Sequence, residues 1–189
     1  MIEEIKGLRK LEFSRVRHMK KVMTIGEKFI PKIYDPIKQD ILKGLFLHDM
    51  GYSTDIECLD HNEIGAEIQL REGFEIGSFM ALSHCKKMSD YKRSQIYNDV
   101  VNELSHGYKE IFPDIERDLW LIVSLSDLSV NERGEQVTVG DRLDSIGKRH
   151  GMKSDKYMNP CNCYVEICRN YKDTEVYKLY EQERKSLPG

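Results

Sequence analysis

Apolar residues recur with helical spacing along most of the 189-residue chain, and this pattern limits the fold more than any other feature. In the first predicted helix, from Leu11 to Ile30, the side chains of Val22, Ile25 and Phe29 share one face. Similar patterns predict helices at about 36–51, 61–73, 75–86, 90–106, 115–128, 139–150 and 163–183. No series of segments shows sustained strand alternation. We therefore predict an all-α fold, a compact single-domain helical bundle.

Turn and cap signals divide this helical pattern. Asp60 is a candidate cap for the third helix, and residues 131–134 (Asn-Glu-Arg-Gly) predict a turn or small hairpin. The polar stretch 151–162 contains Gly and Pro and is typical of a linker. We therefore predict a helical domain over 1–150. Over 151–189 we predict a linker and an appended C-terminal helix, which packs on this domain or on a second subunit.

Composition excludes several classes of protein. The 29 Lys and Arg residues nearly balance the 32 Asp and Glu residues, so nothing predicts broad nucleic-acid or membrane-surface binding. No stretch approaches the roughly 18 apolar residues of a membrane helix, and the charged N-terminus does not resemble a signal peptide. We expect a cytoplasmic protein with reduced thiols at its five cysteines, which are Cys58, Cys85, Cys161, Cys163 and Cys168. A soft-metal site at the last three is a less favoured alternative, because they lack paired zinc-ligand spacing.

Several titratable side chains fall on apolar helix faces. His18 lies four residues before Val22, and His48 lies three residues after Leu45, so both point into the predicted core. Asp127 falls on the apolar face of the sixth helix. Burying such groups is costly unless a partner satisfies them. One divalent cation would satisfy them together, because neutral imidazole and carboxylate are its natural ligands.

These residues occur in a distinctive order along the chain. The order is His18, then the pair His48-Asp49 within the run LFLHDMGYS, then His61, His84 and Asp127. The segment from His61 continues as Asn-Glu-Ile-Gly-Ala, and residues 126–143 form a closing segment around Asp127. Over roughly residues 12–150 the chain resembles the HD-domain superfamily of metal-dependent phosphohydrolases. The closing segment is most similar to that of small stand-alone bacterial HD proteins.

The resemblance implies an HD-type helical fold and a metal site built from four residues: His18, His48, Asp49 and Asp127. Mixed nitrogen and oxygen ligands suit Mn, Fe, Co, Ni or Zn better than Mg. His61 and His84 would hold a second ion, with Asp49 bridging, or would act on the phosphate or the leaving group. This assigns catalytic roles to Asp49, His61 and His84. The chain lacks the Gly-Tyr-Pro signature of cyclic-dinucleotide phosphodiesterases, so that activity is not implied.

Basic residues near the predicted site are candidates for binding phosphate. Arg15 and Lys21 lie about one helical turn before and after His18, and Arg142 belongs to the closing segment. Solvated surface charge is the alternative for each of them. His106 and His150 fall outside the ordered set, and we assign them to surface or capping roles.

The resemblance implies a metal-dependent phosphohydrolase that uses metal-activated water to cleave a small phosphorylated substrate, a nucleotide or another phosphoester. Dinucleoside polyphosphates and nucleoside monophosphates are both compatible with it. One alternative is a non-catalytic HD-fold module that binds a nucleotide or regulates a partner. Another is a structural all-α protein with incidental histidines. A homodimer is a further hypothesis, because the C-terminal helix carries apolar residues at Val165, Cys168 and Tyr171.

Overall fold

The computed structural model describes residues 11–53 and 61–186, and within these ranges the chain is helical without a named strand. The ten α-helices of this part of the chain are α1 (Phe13–Gly26), α2 (Lys38–Leu47), α3 (His61–Arg71), α4 (Glu75–Ser83), α5 (Met88–Tyr91), α6 (Tyr97–Leu104), α7 (Ile115–Leu128), α8 (Val139–His150), α9 (Asp155–Asn170) and α10 (Glu175–Lys185). Short 3-10 segments lie at 27–29, 32–37 and 50–53, and a π turn lies at 105–109. The prediction of an all-α fold is confirmed.

Helix α7 lies at the centre of the fold. Every residue from Asp118 to Leu128 is buried, as expected for a helix that is covered on all sides. Helices α1, α4, α9 and α10 all pack against it. The indole N–H of Trp120 donates to the carbonyl oxygen of Lys86 at 2.8 Å, so the largest core side chain keeps a hydrogen-bond partner. Asp127 near the end of α7 is therefore held deep in the molecule.

One continuous hydrophobic core extends from α1 to α10. It includes Val22 of α1, Phe79 of α4, Trp120 of α7 and Tyr180 of α10. Burial of these apolar side chains is the main force that holds the helices together. In the part of the chain that the structure describes, no helix is both long enough and apolar enough to cross a membrane.

Several predicted boundaries are confirmed. The helix predicted at 115–128 is α7, and the one predicted at 139–150 is α8. At the predicted turn, an antiparallel bridge joins Val130 to Gln136, and Gly134 has a φ of 74°. The prediction of one helix over 90–106 is wrong, because α5 and α6 are separated there. Asp60 and Cys58 lie outside the described residues.

The prediction of a linker over 151–162 is wrong, because α9 begins within this segment at Asp155 and runs to Asn170. Pro160 lies inside this helix and removes one backbone hydrogen bond. Cys163 and Ile167 on the same helix are fully buried against the core, and this burial stabilises the helix despite the proline.

The single C-terminal helix predicted at 163–183 is also wrong, because the chain breaks after α9 and restarts as α10. Thr174 caps the new helix by accepting a hydrogen bond from the backbone N–H of Tyr177. The ring of Tyr180 on α10 contacts Phe29 edge to face, with centroids 5.6 Å apart. Both C-terminal helices thus pack on the domain itself. Val165 on α9 stays exposed.

Candidate metal centre and its cleft

The first half of the candidate site joins α1 to α7. His18 on α1 and Asp127 on α7 are both buried, with His18 Nε2 lying 2.9 Å from Asp127 Oδ1. The Nδ1 atom of His18 lies 2.9 Å from the carbonyl oxygen of Asn131, which can only accept. Nδ1 therefore carries the proton and donates it. The turn predicted at 131–134 thus fixes the orientation of the ring.

The second half is built where α2 ends. The helix stops at Leu47, and His48 occupies its C-cap, so the chain turns and brings Asp49 inward. His48 Nδ1 donates to the carbonyl oxygen of Leu45 at 2.7 Å. Its Nε2 atom lies 3.6 Å from Asp49 Oδ2 and 3.9 Å from Asp127 Oδ1. This Nε2 atom is buried and has no hydrogen-bond partner.

The end of α4 contributes a third imidazole with the same orientation. His84 Nδ1 donates to the carbonyl oxygen of Ala81 at 2.8 Å, and its Nε2 atom lies 3.5 Å from Asp49 Oδ1. The side-chain amide of Asn62 donates to the backbone carbonyl of His84 at 3.0 Å and holds this segment in place. His84 is buried, like His18 and His48.

The three buried histidines therefore share one arrangement. Each uses Nδ1–H on a backbone carbonyl and turns Nε2 toward the carboxylates of Asp49 or Asp127. A neutral imidazole presents a lone pair at Nε2, so lone pairs of nitrogen and carboxylate oxygen face one another. Only a proton or a cation between them makes such contacts favourable. Imidazoles whose other nitrogen is hydrogen-bonded in this way are typical metal ligands.

Two groups of these atoms are close enough to hold an ion. His18, His48 and Asp127 form one group, and His48, Asp49 and His84 form the other. Within each group the ligand atoms all lie within 4.8 Å of one another. All four residues predicted as metal ligands thus come together, and His84 joins them. The donor set of the site fits a divalent ion.

Burial and neighbouring charges shift the pKa values of several groups in the site. Burial lowers the pKa of His48 to about 4, so its imidazole is neutral near pH 7 and Nε2 accepts. Burial alone would raise the pKa of Asp49, but the guanidinium group of Arg15, 2.7 Å from its Oδ2 atom, holds it well below its usual range. The pKa of Asp127 is likewise held low against burial, chiefly by His18. Two ionised carboxylates therefore lie in the core.

His61 lies at the edge of the site. Its Nε2 atom is 3.2 Å from His84 Nε2 and 3.8 Å from Asp49 Oδ1, and a third of its side chain is exposed. The ring stacks on Tyr52, with centroids 4.2 Å apart and the planes inclined by 28°. His61 is therefore placed beside the buried ligands and also in contact with the open cleft.

The predicted phosphate-binding residues take different positions. Arg15 Nη1 lies 2.7 Å from Asp49 Oδ2, and its guanidinium group lies over the Tyr52 ring. Arg142 is buried, and its Nη2 atom lies 3.6 Å from Asp127 Oδ1. Lys21 does not line the cleft.

A cleft of about 220 Å³ opens over these residues. Its walls come from α1, from the start of α3, from the segments after α2, α4 and α7, and from α8 and the start of α9. The charged residues among its lining are Arg15, Lys86, Arg142, Arg149, Lys156, Asp49, Asp127, Glu132 and Asp155. The contribution of α9 to the cleft was not predicted, because residues 151–162 were interpreted as a linker. The run of basic residues at the end of α8 was the available signal.

Cys85 is a further part of the site whose role was not predicted from the sequence. Its thiol donates to Asp127 Oδ2 at 3.0 Å, and its backbone N–H donates to Ser124 Oγ at 3.0 Å. The residue has a φ of 55°, which is uncommon for a side chain other than glycine. Its position next to His84 was the only signal.

The two remaining histidines and the C-terminal cysteines lie outside the group of buried ligands. His106 is exposed and bonds the carbonyl oxygen of Asn102, as expected for a surface residue. His150 is exposed too, but it lines the cleft. Among the described residues, neither group able to hold an ion contains a cysteine. Cys163 is buried in the core and Cys161 is only partly covered.

The chain was compared with models of protein families, with curated proteins and with solved structures. No family model matches it, and neither a curated protein nor a solved structure is similar enough to count as a match.

Proposed function

We propose that this protein is a metal-dependent phosphohydrolase with an HD-type fold, which cleaves a nucleotide or another small phosphoester. The observation that carries the proposal is the shared orientation of three buried imidazoles. Each is anchored through Nδ1 and turns Nε2 toward one of two buried, ionised carboxylates. A purely structural role would leave the buried Nε2 atom of His48 without a favourable partner, which a helical core ordinarily avoids.

The residues that would hold the ion are His18, His48, Asp49 and Asp127, with His84 beside them. Their nitrogen and oxygen donors suit Mn, Fe, Co, Ni or Zn better than Mg. A second, weaker ion at His61 and His84 is part of the proposal. When bound, such an ion supplies a water of lowered pKa and a Lewis acid for a phosphoryl oxygen.

The side chains around the ligands have chemical roles of their own. The guanidinium groups of Arg15 and Arg142 would bind phosphoryl oxygens and balance the charge that develops on them. His61 can reach a substrate from the open cleft and would donate a proton to the leaving group. The ring of Tyr52 contacts both Arg15 and His61 and would orient the two groups.

We also propose a cytoplasmic location, where thiols such as those of Cys161 and Cys168 stay reduced. Homodimerisation is proposed through the exposed side of α9 at Val165, since α9 and α10 otherwise pack on their own domain. Sedimentation at micromolar concentration tests the proposed homodimer, and a strict monomer would contradict it.

Hydrolysis of a panel of nucleotides and simple phosphoesters by the metal-loaded protein tests the function. We expect turnover that a chelator abolishes and that Asp49→Ala removes, while Asp173→Ala, an exposed control, keeps it. Circular dichroism should show an unchanged helical fold in both variants. A fully metal-loaded protein that cleaves no member of the panel would contradict catalysis. Nucleotide binding without turnover would point to a regulatory module instead.

A further inference from the structure

The cleft has a second basic region away from the buried ligands, at the corner where α8 meets α9. We call it the α8–α9 corner, and its residues are Arg142, Arg149, His150 and Lys156. The four side chains come from two helices and line the same cleft as Asp49 and Asp127. Only Arg142 was predicted to bind substrate.

Two guanidinium groups of the α8–α9 corner converge on one oxygen atom. Glu132 Oε2 lies 3.4 Å from Arg142 Nη1 and 3.6 Å from Arg149 Nη2. The hydroxyl of Ser145 also donates to this oxygen at 3.3 Å. The three donor groups therefore surround one anionic oxygen, which belongs to the partly exposed carboxylate of Glu132.

Arg142 connects this position to the candidate metal centre. Its Nη1 atom faces Glu132, while its Nη2 atom faces Asp127 Oδ1 at 3.6 Å. The residue is only 7% exposed, and its Nε atom is buried with no hydrogen-bond partner. One guanidinium group thus contacts both carboxylate oxygens, one through each terminal nitrogen. A guanidinium group can bind two phosphoryl groups joined through a single oxygen in the same way.

The charge of the cleft agrees with a ligand of high negative charge. Five Arg and Lys side chains and four carboxylates line it, and a divalent ion would add two positive charges. Lys156, Arg149 and Arg142 line the same end of the cleft as His150, and their charges, together with burial, lower the pKa of His150. A second phosphoryl group would relieve that repulsion.

We infer that the α8–α9 corner is a second anion subsite, which binds the distal phosphoryl group of a ligand carrying a diphosphate unit. The first phosphoryl group would lie at the metal centre, so the inference rests on the proposed function and narrows its substrate class. The distal group displaces the Glu132 carboxylate from Arg142 and Arg149. Compounds with a diphosphate unit are therefore preferred to phosphomonoesters.

Calorimetric titration of the metal-loaded protein with orthophosphate and with methylenediphosphonate tests this inference. Every titration uses the same ion concentration, so that chelation by the diphosphonate affects all variants equally. Arg149→Ala should weaken diphosphonate binding about tenfold and change orthophosphate binding less than about twofold. Lys148→Ala removes the same charge one residue away, outside the cleft, and should change neither. Glu132→Gln should strengthen diphosphonate binding, because it removes the competing carboxylate.

The outcomes separate the two proposals. Equal diphosphonate affinity in Arg149→Ala and Lys148→Ala would overturn the second subsite, while orthophosphate binding at the metal-loaded site would leave the proposed function standing. Weaker diphosphonate binding in Glu132→Gln would also count against the subsite. Absence of orthophosphate binding to the metal-loaded wild type would overturn both proposals. Arg149 is 40% exposed, so its truncation should leave the helical fold unchanged, which circular dichroism can verify.

Discussion

The two oxygens of the Asp127 carboxylate have different partners. Oδ1 faces His18 Nε2 at 2.9 Å, and Oδ2 accepts from the Cys85 thiol at 3.0 Å. Burial and the nearby Asp127 charge raise the pKa of Cys85 well above its usual value, so the thiol stays protonated and remains a donor. Cys85 therefore orients the carboxylate so that Oδ1 points to the imidazoles.

Replacing Cys85 tests this positioning role. Cys85→Ala should weaken metal binding about tenfold, because loss of an outer partner of a ligand typically has an effect of that size. Cys85→Ser keeps a hydroxyl donor and should retain most of the affinity. Competition with a coloured chelator measures both values. Equal affinity in the alanine and serine variants would show that the hydrogen bond to Asp127 is unimportant.

Some residues of this site could be predicted from the sequence, and others could not. His18, His48 and Asp127 could be predicted as inward-facing because each shares a helix face with apolar neighbours. The contact of Cys85 with Asp127 could not, since 42 positions separate the two residues and only the packing of α4 on α7 brings them together. Side-chain contacts between distant elements leave no local pattern.

At the scale of elements, the segment 50–53 and α3 approach each other closely. A Cβ atom on Gly51 would overlap the carbonyl oxygen of His61 and lie 3.0 Å from the backbone nitrogen of Gly65. Backbone atoms cannot move aside as a flexible side chain can. The absence of a side chain at Gly51 therefore lets α3 bring His61 to the site.

Gly51→Ala should destabilise the protein by about 1–3 kcal/mol, because it forces the segment 50–53 away from α3. It should also lower hydrolytic activity, since His61 would shift relative to Asp49. Gly107→Ala is the control, because a Cβ atom at Gly107 would have no neighbour within 4 Å. Urea unfolding measures both. A Gly51→Ala variant as stable as Gly107→Ala would contradict the close approach.

Helix boundaries differ in how far local signals predict them. Helix α7 was predicted with its observed bounds because apolar residues recur at helical spacing between Pro113 and the turn at 131–134. Helix α9 was missed because Gly151 and Pro160 are strong local turn signals. Its formation depends on burial of Cys163 and Ile167 against distant helices, and that tertiary contribution outweighs local propensity.

At the scale of the whole molecule, buried tyrosines link folding to pH. Burial, together with nearby acidic or tyrosine groups, raises the pKa of Tyr34, Tyr91 and Tyr180 far above the usual value near 10. Burial also raises the pKa of Tyr97 to about 12. In the unfolded chain these hydroxyls ionise near pH 10. Their contribution to stability is therefore complete below about pH 10 and is lost as the pH rises toward the folded-state values.

Alkaline titration should show this coupling directly. We expect the tyrosinate absorbance of the buried tyrosines to rise together with the loss of helical circular dichroism, above pH 10 rather than at it. Both signals can be recorded on one sample. Full ionisation near pH 10 with the helices unchanged would contradict the burial of these side chains.

Metal binding by the whole protein is the most direct test of the site. Isothermal titration of Mn²⁺ into chelator-treated protein should show one tightly bound ion in the wild type. Asp127→Asn should bind it much more weakly, because the amide removes a charged ligand next to His18 and His48. Asp173→Asn, the same change at an exposed position, should bind as the wild type does. No binding of Mn²⁺, Co²⁺ or Zn²⁺ by the wild type, or equal binding by Asp127→Asn, would contradict the metal centre.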